Sequence, residues 1–296
     1  MDNIKMIATD MDGTLLNNDR KVSPRNIELL NEAAESGIKI CAATGRDFRE
    51  ASAPLKEASL FLPVIGANGA EIRFADGSLF DEKTLDNSLF SLITDPLKRE
   101  QVYYEVYTNL GAFTTNKEEG LKLVLDVLAS TGSKMPKEEA LALAEKRFEE
   151  GNVQLTRNYE TLLAEEKTKL LKILAFSASE KIRRRIRSEL AELPVDISSS
   201  AMENLEITHH EATKGRGVQS LAGHYGIKLS EVMVIGDNEN DLSMMDAAGY
   251  AVAMANAAES VKQRADIITG TNYESGVAQA VERVLEARKA SLKKSL

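Results

Sequence analysis

The sequence predicts an α/β protein, a parallel sheet with helices on both faces, interrupted by an inserted α+β module. Three observations predict it. Short apolar stretches of strand length alternate with helical patterns in roughly the first sixty residues and again after Ser200. Between those two regions, strands and helices come in a mixed order. The chain of 296 residues is too long for one small core and fits two units.

Taken in order, "KMIATDMDGTLL" opens the chain with a strand over 4–10. Residues 24–35 read as a helix, because Ser23 offers an N-cap, Pro24 suits the first turn and Gly37 closes it. A strand over 38–43, a helix over 47–58 and a strand over 63–66 follow. Asn68-Gly69 and Asp76-Gly77 are turn pairs, and the second lies between apolar runs as in a hairpin. Further on, "QVYYEVYT" and "GAFTT" read as antiparallel strands, and "KEEGLKLVLDVLAS" and "PKEEALALAEKRFEE" as amphipathic helices. "KLLKILAFS" and "SEKIRRRIRSELAEL" add a strand and a helix. The alternation then resumes with the strand "ENLEITHH", a helix over 215–225, the strand "EVMVIGD", a helix over "NDLSMMDAA", the strand "YAVAMA" and a terminal helix. Its tail, "KASLKKSL", is expected to fray. The expected organisation is a discontinuous core, 1–84 and 199–296, around an inserted domain at 85–198.

Forty-six acidic against 37 basic side chains give a net charge of -9, which argues against a nucleic-acid or anionic-membrane partner. The basic run 181–187 sits at helical spacing among Ile182 and Ile186 and reads as a solvated helix face. Cys41 is the single cysteine, so no internal disulfide is possible, and its apolar neighbours place it in a buried strand. No run of eighteen apolar residues and no basic leader occurs, so a cytoplasmic location is expected.

In open parallel sheets, ligands bind beyond the carboxyl ends of the strands. That rule gathers "DMDGT", "TGR", "TKG" and "GDNEND" at one edge. If the first strand persists, Asp10 and Asp12 emerge on the same side, and two such carboxylates require a metal or a proton. Magnesium takes oxygen ligands and binds one or two carboxylates plus substrate phosphate, which Asp10 and Asp237 could supply. Thr44 and Gly45 precede a helix start, an anion site to which Lys214 adds a point charge. Singly, each stretch has a bland competitor, a turn or a helix cap; their order and placement together carry the signal. EF-hand spacing fails from both Asp10 and Asp237, "GRGVQS" lacks the last glycine of a dinucleotide fingerprint, and no Walker motif or nucleophile elbow occurs. His209 and His210, as adjacent strand residues, are expected to point oppositely and not to chelate together.

In that order the four stretches resemble the motifs of the haloacid dehalogenase-like phosphatases. "DMDGTLL" is similar to the first motif, "ATGR" to the second, Lys214 in "ATKG" to the third and "GDNENDLSMM" to the fourth. "GANGA" and "TNYESGVAQAV" resemble the Cof-type branch, which carries a large inserted cap of type IIB. The resemblance implies a Rossmann-like core and a magnesium-dependent phosphatase acting on a small phosphorylated metabolite, a sugar phosphate or nucleotide-like compound. Asp10 would be the nucleophile that forms an aspartyl-phosphate, and Asp12 the acid/base. Asp10, the backbone carbonyl of Asp12 and Asp237 would hold Mg2+, supported by Asp241. Thr44, Gly45, Arg46, Lys214 and Asn240 would bind phosphate. One departure from the branch is Glu211, where a small residue is usual. Specificity is expected to lie in the inserted domain, where Tyr103, Tyr104, Tyr107 and Arg157 are possible contacts. A phosphohexomutase-like transferase and a non-catalytic phospho-metabolite sensor are the alternatives, and a homo-oligomer is left open.

Overall fold

The computed structural model describes residues 1–131, 136–199 and 203–294. The chain begins with β1 (Met6–Thr9), α1 (Pro24–Glu35), β2 (Lys39–Ala43), α2 (Phe48–Glu57) and β3 (Val64–Gly66). The expected caps form: Ser23 Oγ accepts from the Asn26 N–H at 3.2 Å, and an Asp47 oxygen from the Glu50 N–H at 2.8 Å. β4 (Glu71–Arg73) and β5 (Leu79–Glu82) make the hairpin around Asp76-Gly77.

The next segment builds a separate unit, Lys83–Glu211. It contains α3 (Leu89–Arg99), β6 (Tyr103–Thr108), β7 (Gly111–Thr114), α4 (Lys117–Thr131), α5 (Lys137–Glu149), β8 (Val153–Leu155), α6 (Tyr159–Leu163), β9 (Leu170–Phe176), α7 (Glu180–Leu190), β10 (Val195–Ser198) and β11 (Asn204–His209). Its sheet runs β10-β11-β9-β6-β7-β8, antiparallel except for the parallel β7–β8 pair. Ile93 and Leu97 of α3 and Ile186 and Leu190 of α7 share one core with Val106, Ile173, Leu205 and Ile207 of the sheet. Residues of the opposite parity form a second set, in which Lys172 and Glu206 pair at 3.1 Å and the Lys172 ammonium lies 4.5 Å from the Tyr107 ring centre.

The chain then completes the first unit, Met1–Glu82 with Ala212–Leu296. It adds α8 (Lys214–His224), β12 (Val232–Gly236), α9 (Leu242–Ala247), β13 (Tyr250–Ala253), α10 (Glu259–Arg264), β14 (Ile267–Ile268) and α11 (Gly276–Lys294). The sheet order is β14-β13-β12-β1-β2-β3-β4-β5, parallel from β14 to β3 with the hairpin as an antiparallel edge. Every residue of β1 and β12 is buried, as expected of parallel strands enclosed on both faces. Cys41 lies in this core, where burial pushes its thiol up to about 12.

Several expectations change. The return point at Ser200 lies outside the described residues, and the strand after it does not rejoin the core. β11 instead pairs with β9 and β10, so the core resumes at Ala212. Six elements, α3, β8, α6, β10, α10 and β14, are found without having been predicted. Pro96 inside α3 and the brevity of the others blunt their periodicity. The tail stays helical to Lys294, where Lys289 pairs with Glu32 at 2.9 Å; residues 295–296 lie outside the described residues. The basic run is a solvated helix face in part: Arg184 pairs with Glu180 and Arg185 with Glu189, while Arg183 and Arg187 donate to the Ser177 and Ile197 carbonyls.

Ile173 is fully buried at the centre of β9. Ile173→Ala should lower unfolding free energy by about 2–5 kcal/mol through the cavity it leaves. Denaturant titration would check this, and a loss under about 1 kcal/mol would contradict the packing.

Candidate active site

Three adjacent parallel strands end together. Thr9 is in register with Ile235 on one side and Ala42 on the other, so the chain leaving β1, β2 and β12 places Asp10, Thr44 and Asp237 along one edge. The Asp10 N–H still donates to the Ile235 carbonyl at 2.9 Å. β1 itself stops at Thr9, which overturns the strand alternation expected of Asp10 and Asp12. The chain turns instead, with the Leu16 N–H reaching the Met11 carbonyl at 2.8 Å. Within that turn Gly13 has φ +78°, and a Cβ there would stand 2.4 Å from Asp237 Oδ2. Three asparagine amides grip the turn from outside: Asn256 donates to the Gly13 carbonyl at 2.8 Å, Asn26 to Leu15 at 3.2 Å and Asn272 to Leu16 at 2.9 Å.

The charges are unequal. The Lys214 ammonium, fully buried at the start of α8, donates to Asp10 Oδ1 at 2.6 Å and to Asp241 Oδ1 at 2.7 Å. Asp10, Asp237 and Asp241 each offer an oxygen within 4.8 Å of the others. Three carboxylates around a single ammonium leave an excess of negative charge. Burial pushes the Asp10 carboxyl well above the usual range, against the pull of Lys214 and with the help of Asp241 and Asp237. Burial and Asp241 likewise raise Asp237 to about 6, against Thr14 and Lys214. Burial alone would lower the Lys214 pKa, but Asp10 and Asp241 hold it above its ordinary value.

Asp241 spends both oxygens on the protein. Its Oδ2 accepts the N–H groups of Asp237 and Asn238 at 2.9 and 3.0 Å while Oδ1 holds Lys214. Asp10 uses Oδ1 for Lys214, and Asp237 uses Oδ1 for the Thr14 hydroxyl at 2.8 Å. Among the described residues no amide, ammonium or hydroxyl donor takes Oδ2 of either. An oxygen each from Asp10, Asp237 and Asp241 within 4.8 Å of one another, carrying surplus negative charge, fits a hard divalent cation such as magnesium.

Asp12 stands apart from this cluster. Its carboxylate receives the Arg46 guanidinium at 2.7 and 2.6 Å, a bidentate pair. Crowding by protein atoms raises its pKa, but the Arg46 hydrogen bonds and charge outweigh that and hold it below the usual value. Arg46, expected on phosphate, is thus committed to Asp12. Buried Thr44 accepts the Arg46 N–H on its hydroxyl at 3.2 Å, with Gly45 between them. Asn240 donates its side-chain N–H to Asn68 Oδ1 at 3.2 Å. Thr14, Asn68 and the three asparagines around the turn were not singled out from the sequence. Thr14, inside "DMDGT", Asn68, in "GANGA", and Asn272, in "TNYESGVAQAV", carry a local signal, and Asn26 and Asn256 carry none. Glu211 pairs with Lys83 at 2.7 Å, and Lys214 still reaches Asp10.

The remaining sequence candidates belong to the inserted unit. Tyr104 packs on Tyr159 and Tyr103 stacks on Phe176 within the inserted unit, and the Tyr107 hydroxyl meets Glu105. Arg157, in the loop before α6, belongs to that unit too. The His209 and His210 rings, expected to diverge, lie 4.3 Å apart because β11 ends at His209. No described helix is long and apolar enough to cross a membrane.

Residues 7–281 match the family profile of the haloacid dehalogenase-like hydrolases. The chain is 35% identical over 286 residues to the phosphatase YwpJ of Bacillus subtilis, covering 95% of this chain and all of that protein. It is 31% identical over 291 residues to the 5-amino-6-(5-phospho-D-ribitylamino)uracil phosphatase YwtE of the same organism, covering 97% and 100%. A haloacid dehalogenase-like hydrolase structure from B. subtilis superposes with a TM-score of 0.85 at 33% identity, covering 94% of this chain and 99% of that one.

Two outcomes follow from the charge imbalance. Folding raises the Asp237 pKa above its unfolded value, so the metal-free fold is penalised above about pH 6 and relieved as pH falls through that value. Added magnesium should therefore raise the melting temperature more at about pH 7.5 than at about pH 5.5, where protons compete; equal shifts would contradict a carboxylate cation site. Gly13→Ala, which needs both a left-handed backbone and displacement of Asp237, should cost about 1–3 kcal/mol in thermal unfolding and weaken the magnesium shift.

Proposed function

The chain belongs to the haloacid dehalogenase-like hydrolases and is a phosphatase, and from that premise we propose that it hydrolyses a small phosphorylated metabolite through an aspartyl-phosphate on Asp10, with magnesium. The observation that carries this reading is the Lys214 ammonium joining Asp10 to Asp241 inside an over-charged carboxylate cluster.

Asp10 Oδ2 and Asp237 Oδ2 are the groups that would hold the cation, with the Asp12 backbone carbonyl as a further oxygen. Bound magnesium supplies positive charge against the carboxylates and the phosphoryl oxygens. The remaining work falls to the chain. Thr44, the Gly45 N–H, Lys214 and Asn240 bind the phosphoryl oxygens and fix phosphorus in front of Asp10. An Asp10 oxygen forms a bond to phosphorus while the ester P–O bond breaks, and Asp12 gives a proton to the departing oxygen. In the second half Asp12 takes a proton from water, whose oxygen displaces Asp10 and releases inorganic phosphate. The anionic phosphoryl group competes with Asp12 for Arg46, so substrate binding loosens the pair that occupies Asp12.

The substrate class rests on relatives. YwtE is named for a phosphorylated ribityl chain attached to a pyrimidine, which supports a sugar or polyol phosphate, or a nucleotide-like compound.

Phosphate release from p-nitrophenyl phosphate tests the reading. Release should require magnesium, stop with chelator, and fall by roughly three orders of magnitude or more in Asp10→Asn, with circular dichroism unchanged. Substantial turnover by Asp10→Asn would sink the covalent route.

A further inference from the structure

Asn68 lies where few side chains other than glycine settle. Its φ is +57° and its ψ 26°, between Ala67 at φ +47° and Gly69 at φ +98°. Three successive residues with positive φ make an unusual turn, and it is held at both ends of the second motif: the Asn68 N–H donates to the Thr44 carbonyl at 2.9 Å and the Ala67 N–H to the Arg46 carbonyl at 2.7 Å. Asn68 is 3% exposed, and its side-chain oxygen accepts from the Asn240 amide at 3.2 Å. One residue therefore connects the loop after β2 to the loop after β12.

The chemistry of an amide gives that contact a consequence. A carboxamide has a donor end and an acceptor end of nearly the same shape, and an anion accepts only from the donor end. Asn240 could present either end to a ligand if nothing fixed it. With its oxygen turned to Asn240, Asn68 pairs with the NH2 end of that amide and not with its carbonyl end, so this arrangement holds the Asn240 rotamer that turns nitrogen toward this side of the site. The NH2 group carries two hydrogens; Asn68 takes one, and the second is available to a phosphoryl oxygen.

We infer that Asn68 is a positioning residue, which acts on phosphate through Asn240 by locking the orientation of its amide. This rests on the phosphate-binding role proposed above for Asn240. The left-handed backbone makes the lock possible, since it allows the same residue to tie the Thr44–Arg46 loop through its N–H and to aim its side chain at Asn240. Glycine would keep the backbone and lose the lock.

The test is a double-mutant cycle read by inorganic phosphate as competitive inhibitor of p-nitrophenyl phosphate hydrolysis. Asn68→Gly, whose backbone accepts positive φ, should raise the phosphate inhibition constant and the KM about tenfold with a smaller effect on kcat. Asn240→Ala should weaken phosphate at least as much. Combined with Asn240→Ala, Asn68→Gly should add nothing, because there is no amide left to orient. Thermal unfolding of Asn68→Gly followed by circular dichroism accompanies the measurement, and a profile close to that of the unsubstituted protein assigns the lost inhibition to the amide contact and not to the fold. Unchanged inhibition in Asn68→Gly, or full additivity in the double variant, overturns the inference while leaving the phosphatase reading intact. Unsubstituted protein that neither hydrolyses the ester nor responds to phosphate overturns both.

Discussion

Three carboxylates share one buried ammonium, and the edge of the core sheet is organised around that imbalance. Lys214 cannot neutralise Asp10, Asp237 and Asp241 together, and burial removes the water that would otherwise screen them. Such a cluster persists in a folded protein only if something outside the chain completes it. A proton does so in part, and the raised pKa values of Asp10 and Asp237 mean that each holds a proton more tightly than an ordinary carboxyl does. A divalent cation would bring two positive charges to the same oxygens where a proton brings one.

Holding like charges together requires rigid surroundings. Parallel pairing of β1 with β2 and β12 fixes the edge, and Asp237 comes to it from the far side of the insertion. The turn after β1 is not left to its own hydrogen bonds. Asn256, Asn26 and Asn272 fasten its carbonyls, and the Ala278 N–H in turn donates to Asn26 at 2.9 Å, so the terminal helix braces the first motif. Asp241 holds the second loop in the same manner, with its oxygens on two N–H groups and on Lys214. The residues that hold these two loops therefore come from distant parts of the sequence.

That distribution explains what the sequence could and could not disclose. The βα alternation and the "DMDGT" and "GDNEND" loops are local, because period, caps and turn residues lie within a few positions of one another. The partner of a strand is not local. "NLEITH" alternates in the same way whether it joins the parallel core or the antiparallel sheet, and the structure assigns it to the latter. The partner of a charge is equally non-local: Asp10 and Asp12 were expected on one side, needing a metal or a proton between them, and Arg46 takes the Asp12 carboxylate instead. Asn68-Gly69 looked like a turn and is one. Its side chain meets Asn240, 172 positions away in sequence, a contact no local pattern carries.

Two carboxylates separated by one residue end up with opposite tendencies, since Asp10 is pushed toward the protonated form and Asp12 is held ionised. Environments that drive paired acids apart are how one site obtains both a nucleophile and an acid/base. On the proposed mechanism, however, the resting charges are the inverse of those the first chemical step needs, an ionised Asp10 and a protonated Asp12. Each is corrected by one ligand. On that mechanism a divalent cation held by Asp10 and Asp237 would favour the ionised form of Asp10, and a phosphoryl group that draws Arg46 away would free Asp12 to hold a proton. On the proposed mechanism the electrostatics that hold the two carboxyls in the opposite charge states would make reaction depend on both cation and phosphoryl group.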